Sequence, residues 1–162
     1  VAVCVCGGHA TPQMLRLLPT MTDTGSQLQY TPIVFVTAAT DSISAQRAAV
    51  FFASAPHVEP VFEAVPRSRE VGQSWVSTVW TTLVSCIAAL GVVGRHRPQL
   101  LLVNGPGTCV PLCLAAVLLK VLGVCGTRIV FVESVCRVDG LSLTGKILFP
   151  IADRVVVQWR QL

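Results

Sequence analysis

Charge is what this chain has least of. Asp, Glu, Lys and Arg make up 12% of its 162 residues, about half the roughly 25% of an ordinary soluble domain. Hydrophobic residues reach 52% and the mean hydropathy is +0.68. A freely solvated globule needs more polar surface than that. The composition therefore points to a chain that is buried against a partner, rests on a membrane, or crosses one in part. Aromatic residues are few, at 6%, and no Lys/Arg-rich run occurs, which argues against nucleic acid as a partner. The net charge of +4 has the sign that suits phosphates or anionic lipid. Gly-x-Gly-x-x-Gly is absent and so is a Walker lysine, which argues against NAD and ATP as cofactors. Neither Cys-x-x-Cys nor His-x-x-x-His is present, so a zinc site has little support, and no carboxylate pair suits Mg²⁺. The seven cysteines are odd in number and irregularly spaced, as expected of buried free thiols in a reducing compartment. No signal peptide or N-terminal anchor is visible among the residues given, which begin with Val1 directly in a strand-like run.

The longest uncharged stretch, Val71 to Gly94, approaches the ~20 residues that cross a bilayer. Gln73 and a scatter of Ser and Thr make it too polar for a confident span. A helix buried in a domain, or one lying in the membrane interface, is the expectation.

What is there is an alternation of strand-like and helix-like segments. The strands are expected at Val1 to Cys6, Tyr30 to Val36, Pro60 to Val65, Leu100 to Val103, Arg128 to Glu133 and Arg154 to Gln158. The first and fourth are nearly continuous apolar runs, the pattern of parallel strands covered on both faces. Helical periodicity appears over Pro12 to Met21, with Met14, Leu15, Leu17, Leu18 and Met21 on one stripe. It appears again from an Asp41 or Ser42 N-cap to about Ala55, over Val71 to Val93, over Cys109 to Leu122, and over Leu143 to Ile151. No repeat, low-complexity tract or linker interrupts the series. The fold class is therefore α/β: a single Rossmann-like domain over residues 1–162, with a doubly wound parallel sheet. In the common 3-2-1-4-5 strand order the first and fourth strands are neighbours. The crevice beyond their C-terminal ends is then the ligand site.

Two Gly-bearing turns lead from those strands into helices. Gly7, Gly8 and His9 follow the first; Asn104, Gly105, Pro106, Gly107 and Thr108 follow the fourth. Free N–H groups and the positive end of a helix dipole at such a turn can hold an anion. Glycine also lets backbone approach a ligand closely. Gly7 and Gly8 are either part of such a cradle or an ordinary tight turn, and His9 is either a phosphate contact and weak candidate base or a solvent-facing side chain. Thr108 either donates to a phosphate or caps the helix that follows. Arg67 and Arg69, after the third strand, are either a bidentate diphosphate clamp or a solvated turn with Glu70 as first-turn acid. Glu133, at the end of the fifth strand, either orients a sugar hydroxyl or caps a turn or pairs with Arg137. A self-sufficient hydrolase built on His9 with Cys6 or Cys109 is the weakest reading, because no orienting acid can be placed.

Four blocks, in this order, carry a resemblance that covers nearly the whole chain: Pro66-Arg-Ser-Arg-Glu-Val-Gly-Gln-Ser74, Asn104-Gly-Pro-Gly-Thr-Cys-Val-Pro111, Val132-Glu-Ser-Val-Cys-Arg-Val138 and Leu141-Ser-Leu-Thr-Gly-Lys-Ile-Leu148. They resemble the membrane-anchoring, non-catalytic subunit of the two-subunit N-acetylglucosaminyltransferase of the dolichol pathway. That family is similar to the N-terminal, acceptor-side half of a GT-B glycosyltransferase, and is related to the bacterial enzyme that makes the last lipid-linked peptidoglycan precursor. The resemblance implies a role in adding the second GlcNAc to dolichyl-diphosphate-GlcNAc at the cytosolic face of the endoplasmic reticulum membrane. It implies a partner subunit that binds UDP-GlcNAc and is recruited to the membrane by this one. It implies neither a cofactor nor activity of this chain alone. Gly7, Gly8, His9, Gly105, Gly107 and Thr108, with Arg67 and Arg69, would then face the acceptor diphosphate. Gln13 stands where the family has Glu, and Trp159-Arg160 where it has Trp-Pro. The family's N-terminal transmembrane anchor and C-terminal partner-docking tail are not among these residues. The alternative is a pure membrane and partner scaffold with no ligand site of its own.

Overall fold

The computed structural model describes residues 3–6, 11–22, 32–54, 60–68, 75–105 and 107–162. Six strands form one parallel sheet in the order β3-β2-β1-β4-β5-β6. They are β1 (Val3–Cys6), β2 (Ile33–Ala38), β3 (Pro60–Val65), β4 (Leu100–Asn104), β5 (Arg128–Val132) and β6 (Arg154–Val156). Between them run α1 (Thr11–Thr22), α2 (Ser42–Ala53), α3 (Trp75–His96), α4 (Cys109–Val121) and α5 (Leu143–Leu148). The expected α/β class and the adjacency of β1 and β4 are both observed, with Cys6 level with Val103.

The continuous apolar strands are explained by burial on both sheet faces. One face of β1 and β4 (Cys4, Cys6, Leu101, Val103) packs under α3, α4 and α5 through Ala89, Val93, Leu112, Cys113 and Leu148. The other face (Val3, Val5, Leu102) packs under α1 and α2 through Met14, Leu18, Ala48 and Phe52. This alternation decides which side each residue at the end of a strand faces.

Local signals set most element ends. Asp41 caps α2: its Oδ1 accepts from the Ser44 N–H at 3.1 Å and its Oδ2 from the Ser44 hydroxyl at 2.8 Å. α3 runs to His96, past the expected end at Val93, and Arg97 then takes a left-handed φ of 41° before Pro98. β2 lies later than expected because Thr37 and Ala38 still pair with Ala64 and Val65. α5 stops at Leu148 rather than Ile151: Pro150 has no N–H to continue the ladder, and the N–H groups of Ile151 and Ala152 both turn back to the Leu148 carbonyl.

α3 accounts for its own mixed composition. The hydroxyls of Thr81 and Thr82 donate to the Ser68 carbonyl at 2.9 and 3.2 Å, and that of buried Ser85 to the Pro66 carbonyl at 2.9 Å. Thr78–His96 is long and apolar enough to cross a membrane by length and composition. In the fold, however, its polar side holds the loop after β3, and its Val79, Trp80, Leu83 and Ile87 face outward.

Candidate functional site at the C-terminal rim of the sheet

The rim of β1, β4 and β5 gathers most of the expected site residues that lie within the described part of the chain. Gly7, Gly8, His9, Arg69 and Pro106 lie outside the described residues. The strand that leads into residues 7–9 is fixed against the turn after β4 by a sulfur contact. Cys109 Sγ lies 2.8 Å from Cys6 Sγ, and 3.8 Å from the carbonyl oxygens of both Cys6 and Asn104. Burial raises the Cys113 thiol and pushes Cys4 up to about 12. The hydrogen bond with Cys109, followed by burial, raises Cys6. A thiol held neutral is a poor nucleophile, which removes support from a hydrolase built on Cys6.

Gly105 has a φ of +99°, a conformation in which a side chain is strained. The turn therefore needs glycine there. Gly107 is under no such constraint: a Cβ on it would meet Ser68 Oγ at 3.6 Å, an ordinary contact. That closeness shows that the loop after β3 reaches the turn after β4, which brings half-buried Arg67 to the same rim. Thr108 occupies the N-cap position of α4 and is 8% exposed, yet its side chain makes no capping hydrogen bond. The start of α4 is closed by backbone alone, the Val110 N–H donating to the Gly107 carbonyl at 3.2 Å.

Glu133 is buried, and its carboxylate is engaged within the fold. Oε1 accepts from the Ser134 N–H at 2.9 Å, and Oε2 from the Ser142 N–H at 2.8 Å. This is a turn-capping arrangement that ties the end of β5 to the cap of α5, where Ser142 Oγ accepts from the Gly145 N–H at 2.9 Å. A neighbouring clamp comes from Gln13 in the first turn of α1. Its Nε2 donates to the Glu133 carbonyl at 3.2 Å and its Oε1 accepts from the Val135 N–H at 3.4 Å. The Trp159 indole N–H donates to the Val135 carbonyl at 2.8 Å.

Asn104 is a rim residue to which the sequence alone assigns no role. It ends β4, is fully buried, and both atoms of its carboxamide lack a hydrogen-bond partner, the one such side chain among the described residues. A polar residue that closes an apolar strand was the available signal. Among the described residues no group of three His, Cys, Asp or Glu side chains converges as a metal site would.

The comparisons agree with this architecture. The family model described as "Oligosaccharide biosynthesis protein Alg14 like" matches residues 1–162. The chain is 44% identical over 163 residues to the human UDP-N-acetylglucosamine transferase subunit ALG14, covering 96% of this chain and 73% of that protein. It is 43% identical to the subunit of the same name from Yarrowia lipolytica, covering 96% and 71%. Among solved structures, MurG of Acinetobacter baumannii superposes with a TM-score of 0.70 at 15% identity, over 99% of this chain and 42% of MurG. A UDP-N-acetylglucosamine 2-epimerase described as putative, from Listeria monocytogenes, gives 0.62 at 15% identity, over 99% and 40%. These two show the fold, and this chain spans less than half of either. Taken with the family match along its whole length, the relatives at 43–44% identity make this chain a member of the Alg14-like family of oligosaccharide biosynthesis proteins.

Proposed function

We propose that this chain is the acceptor-side subunit of a UDP-N-acetylglucosamine transferase that extends a lipid-diphosphate sugar in N-glycan precursor synthesis. The catalytic subunit supplies the UDP-GlcNAc site. This chain supplies the cradle for the acceptor, dolichyl-diphosphate-GlcNAc, and draws its partner to the endoplasmic reticulum membrane. The observation that carries the reading is the Gly105–Thr108 turn, set against the end of β1 through Cys6 and Cys109 in a chain 44% identical to a transferase subunit.

In this reading the start of α4 receives diphosphate oxygens, since the positive end of the helix dipole favours negative charge there. Gly105, Gly107 and Thr108 line the cradle, and Gly7 and Gly8 complete it from the β1 side. Arg67 and Arg69 add positive charge that a guanidinium can deliver through two parallel hydrogen bonds. His9 takes the proton from the acceptor hydroxyl as that oxygen bonds to the anomeric carbon of UDP-GlcNAc and UDP departs. Glu133, with both oxygens committed to backbone N–H groups, acts as a positioning residue for the loop beside the acceptor sugar.

The membrane part of the proposal rests on the helical layer over one sheet face. α3, α4 and α5 contain no Asp or Glu, and their cations are Arg95, Lys120 and Lys146. Trp80, Ile87, Leu118, Val121, Ile147 and Phe149 are exposed on those helices and the residue that follows α5. Arg95 and Lys120 are paired with Glu63 and Asp153, each at 3.1 Å, so it is the exposed apolar side chains of this layer that suit the headgroup region of a bilayer.

The test is GlcNAc transfer from UDP-GlcNAc to a short-chain lipid-diphosphate-GlcNAc by this chain co-expressed with its catalytic subunit. Gly105→Val with Arg67→Ala should lower kcat/KM for the acceptor by about a hundredfold, the scale of losing a charged contact and an aligned backbone donor. Full activity in a variant with unchanged circular dichroism would reject the cradle and leave the pure scaffold.

A further inference from the structure

We propose that Asn104 reads the sugar of the acceptor, and so separates a glycosylated lipid diphosphate from a bare one. This rests on the acceptor-side reading above. Strand alternation puts the Asn104 side chain on the Leu102 face of β4, the face covered by α1. The following turn crosses to α4 on the opposite face. Asn104 therefore stands where the two connections diverge, on the α1 side of the crevice at the topological switch point.

The carboxamide is 0% exposed, and neither Nδ2 nor Oδ1 has a partner among the described residues. Buried polar groups are nearly always paired, and an unpaired one in a native fold calls for an explanation. A packing role is a poor one, since leucine has almost the same shape and would fill the position without leaving a donor and an acceptor unmet. A ligand that engages the group supplies the missing pair.

The two atoms also restrict what that ligand is. A diphosphate offers acceptors only, so it would satisfy Nδ2 and leave Oδ1 unmet. A sugar hydroxyl both donates and accepts, and an acetamido group carries an N–H and a carbonyl. The carboxamide therefore matches the sugar next to the diphosphate better than the diphosphate itself. Sites built to hydrogen-bond a substrate hydroxyl or N–H discriminate strongly against analogues that lack it, because the buried groups are left unpaired.

The experiment uses this chain in complex with its catalytic subunit and compares wild type with Asn104→Leu and Asn104→Asp. Three quantities are read: KM for a short-chain prenyl-diphosphate-GlcNAc, inhibition by the same prenyl diphosphate without sugar, and KM for UDP-GlcNAc. The expected result for Asn104→Leu is an acceptor KM raised roughly ten- to a hundredfold, the loss of one or two buried hydrogen bonds. Inhibition by the sugar-free diphosphate and KM for UDP-GlcNAc should stay within a factor of two. Asn104→Asp, which keeps the shape but loses the donor and buries a carboxylate beside the diphosphate, should raise acceptor KM at least as far as Asn104→Leu. If acceptor KM is unchanged in a folded Asn104→Leu complex, the proposal is wrong. It is equally wrong if acceptor KM and diphosphate inhibition weaken together, since that is the signature of a distorted turn. Failure of the sugar-free diphosphate to compete with acceptor in the wild type is a different result, and it rejects the underlying diphosphate cradle instead.

Discussion

Two glycine-to-alanine substitutions, both inside helices, should move stability in opposite directions. In α5, a Cβ on Gly145 would lie 2.6 Å from Glu133 Oε2, 3.2 Å from Phe131 Cε1 and 3.3 Å from Ser142 Oγ. The first distance is too short for any real contact, so the carboxylate has to move. It is not a free side-chain end: Oε1 and Oε2 hold the N–H groups of Ser134 and Ser142 at 2.9 and 2.8 Å. Overpacking costs about 1–3 kcal/mol, and weakening a hydrogen bond to a charged group costs about 1.5–3 kcal/mol more. Alanine returns about 1 kcal/mol of helix propensity. The clash wins, and Gly145→Ala should destabilise by about 2–4 kcal/mol, roughly 5–15 °C in Tm for a chain of this size. Gly91, within α3, has nothing within 4 Å of its added Cβ, so Gly91→Ala should stabilise by up to about 1 kcal/mol. Thermal unfolding followed by far-UV circular dichroism measures both. On a Glu133→Ala background the 2.6 Å clash is gone and only the closer approaches to Phe131 and Ser142 remain, so Gly145→Ala should then cost clearly less. A Gly145→Ala Tm at or above wild type, or equal losses on both backgrounds, would refute the brace between β5 and α5.

Two further outcomes follow from burial and charge. Cys4 is raised from 9.0 to about 12 by burial, so the folded state keeps a proton that the unfolded chain releases. Stability should therefore be insensitive to this group below about pH 9 and decline between about pH 9 and 12. In the same pH range exposed Cys136 should react readily with a thiol reagent, while Cys4 and Cys113 react only on unfolding; comparable rates would contradict the burial. Replacing Trp80 and Ile87 with Ser should abolish flotation with anionic phospholipid vesicles and leave Tm within a few degrees, since both side chains face outward. Undiminished flotation would remove this helix from the membrane face.

The alternation of elements was legible because parallel strands covered on both sides are written as unbroken apolar runs. Val3 to Cys6 and Leu101 to Val103 have no polar residue to misread. The Gly turns were legible for a related reason: a positive φ at Gly105 demands the one residue without a Cβ. What sequence could not supply was the destination of a polar side chain. Glu133 reads equally as a ligand contact or a cap, because its second N–H partner, Ser142, lies nine residues further along the chain. The Ser and Thr of α3 read only as a defect in a membrane span, because their acceptors at Pro66 and Ser68 belong to a loop with no periodic signal. Asn104 was visible but silent, since burial without a partner is a property of the fold.

These misread residues have one thing in common, and it bears on how the rim would work. Each connection at the described rim is held by side chains bonded to backbone. Thr81, Thr82 and Ser85 hold residues 66–68, Glu133 and Gln13 hold the loop after β5, and packed thiols join the end of β1 to the start of α4. Loops fixed in this way lose little freedom when a ligand arrives, which is where binding costs otherwise concentrate. Residues that hold the frame should therefore change stability first and activity only through it. A residue that meets the acceptor should show the reverse, with stability unchanged or improved and acceptor affinity lost. Asn104→Leu, compared with Gly145→Ala in the same complex, sets the two classes against each other. If both substitutions lowered Tm and acceptor affinity in proportion, the rim would be frame throughout, and the site would have to be sought elsewhere on the chain or on the partner.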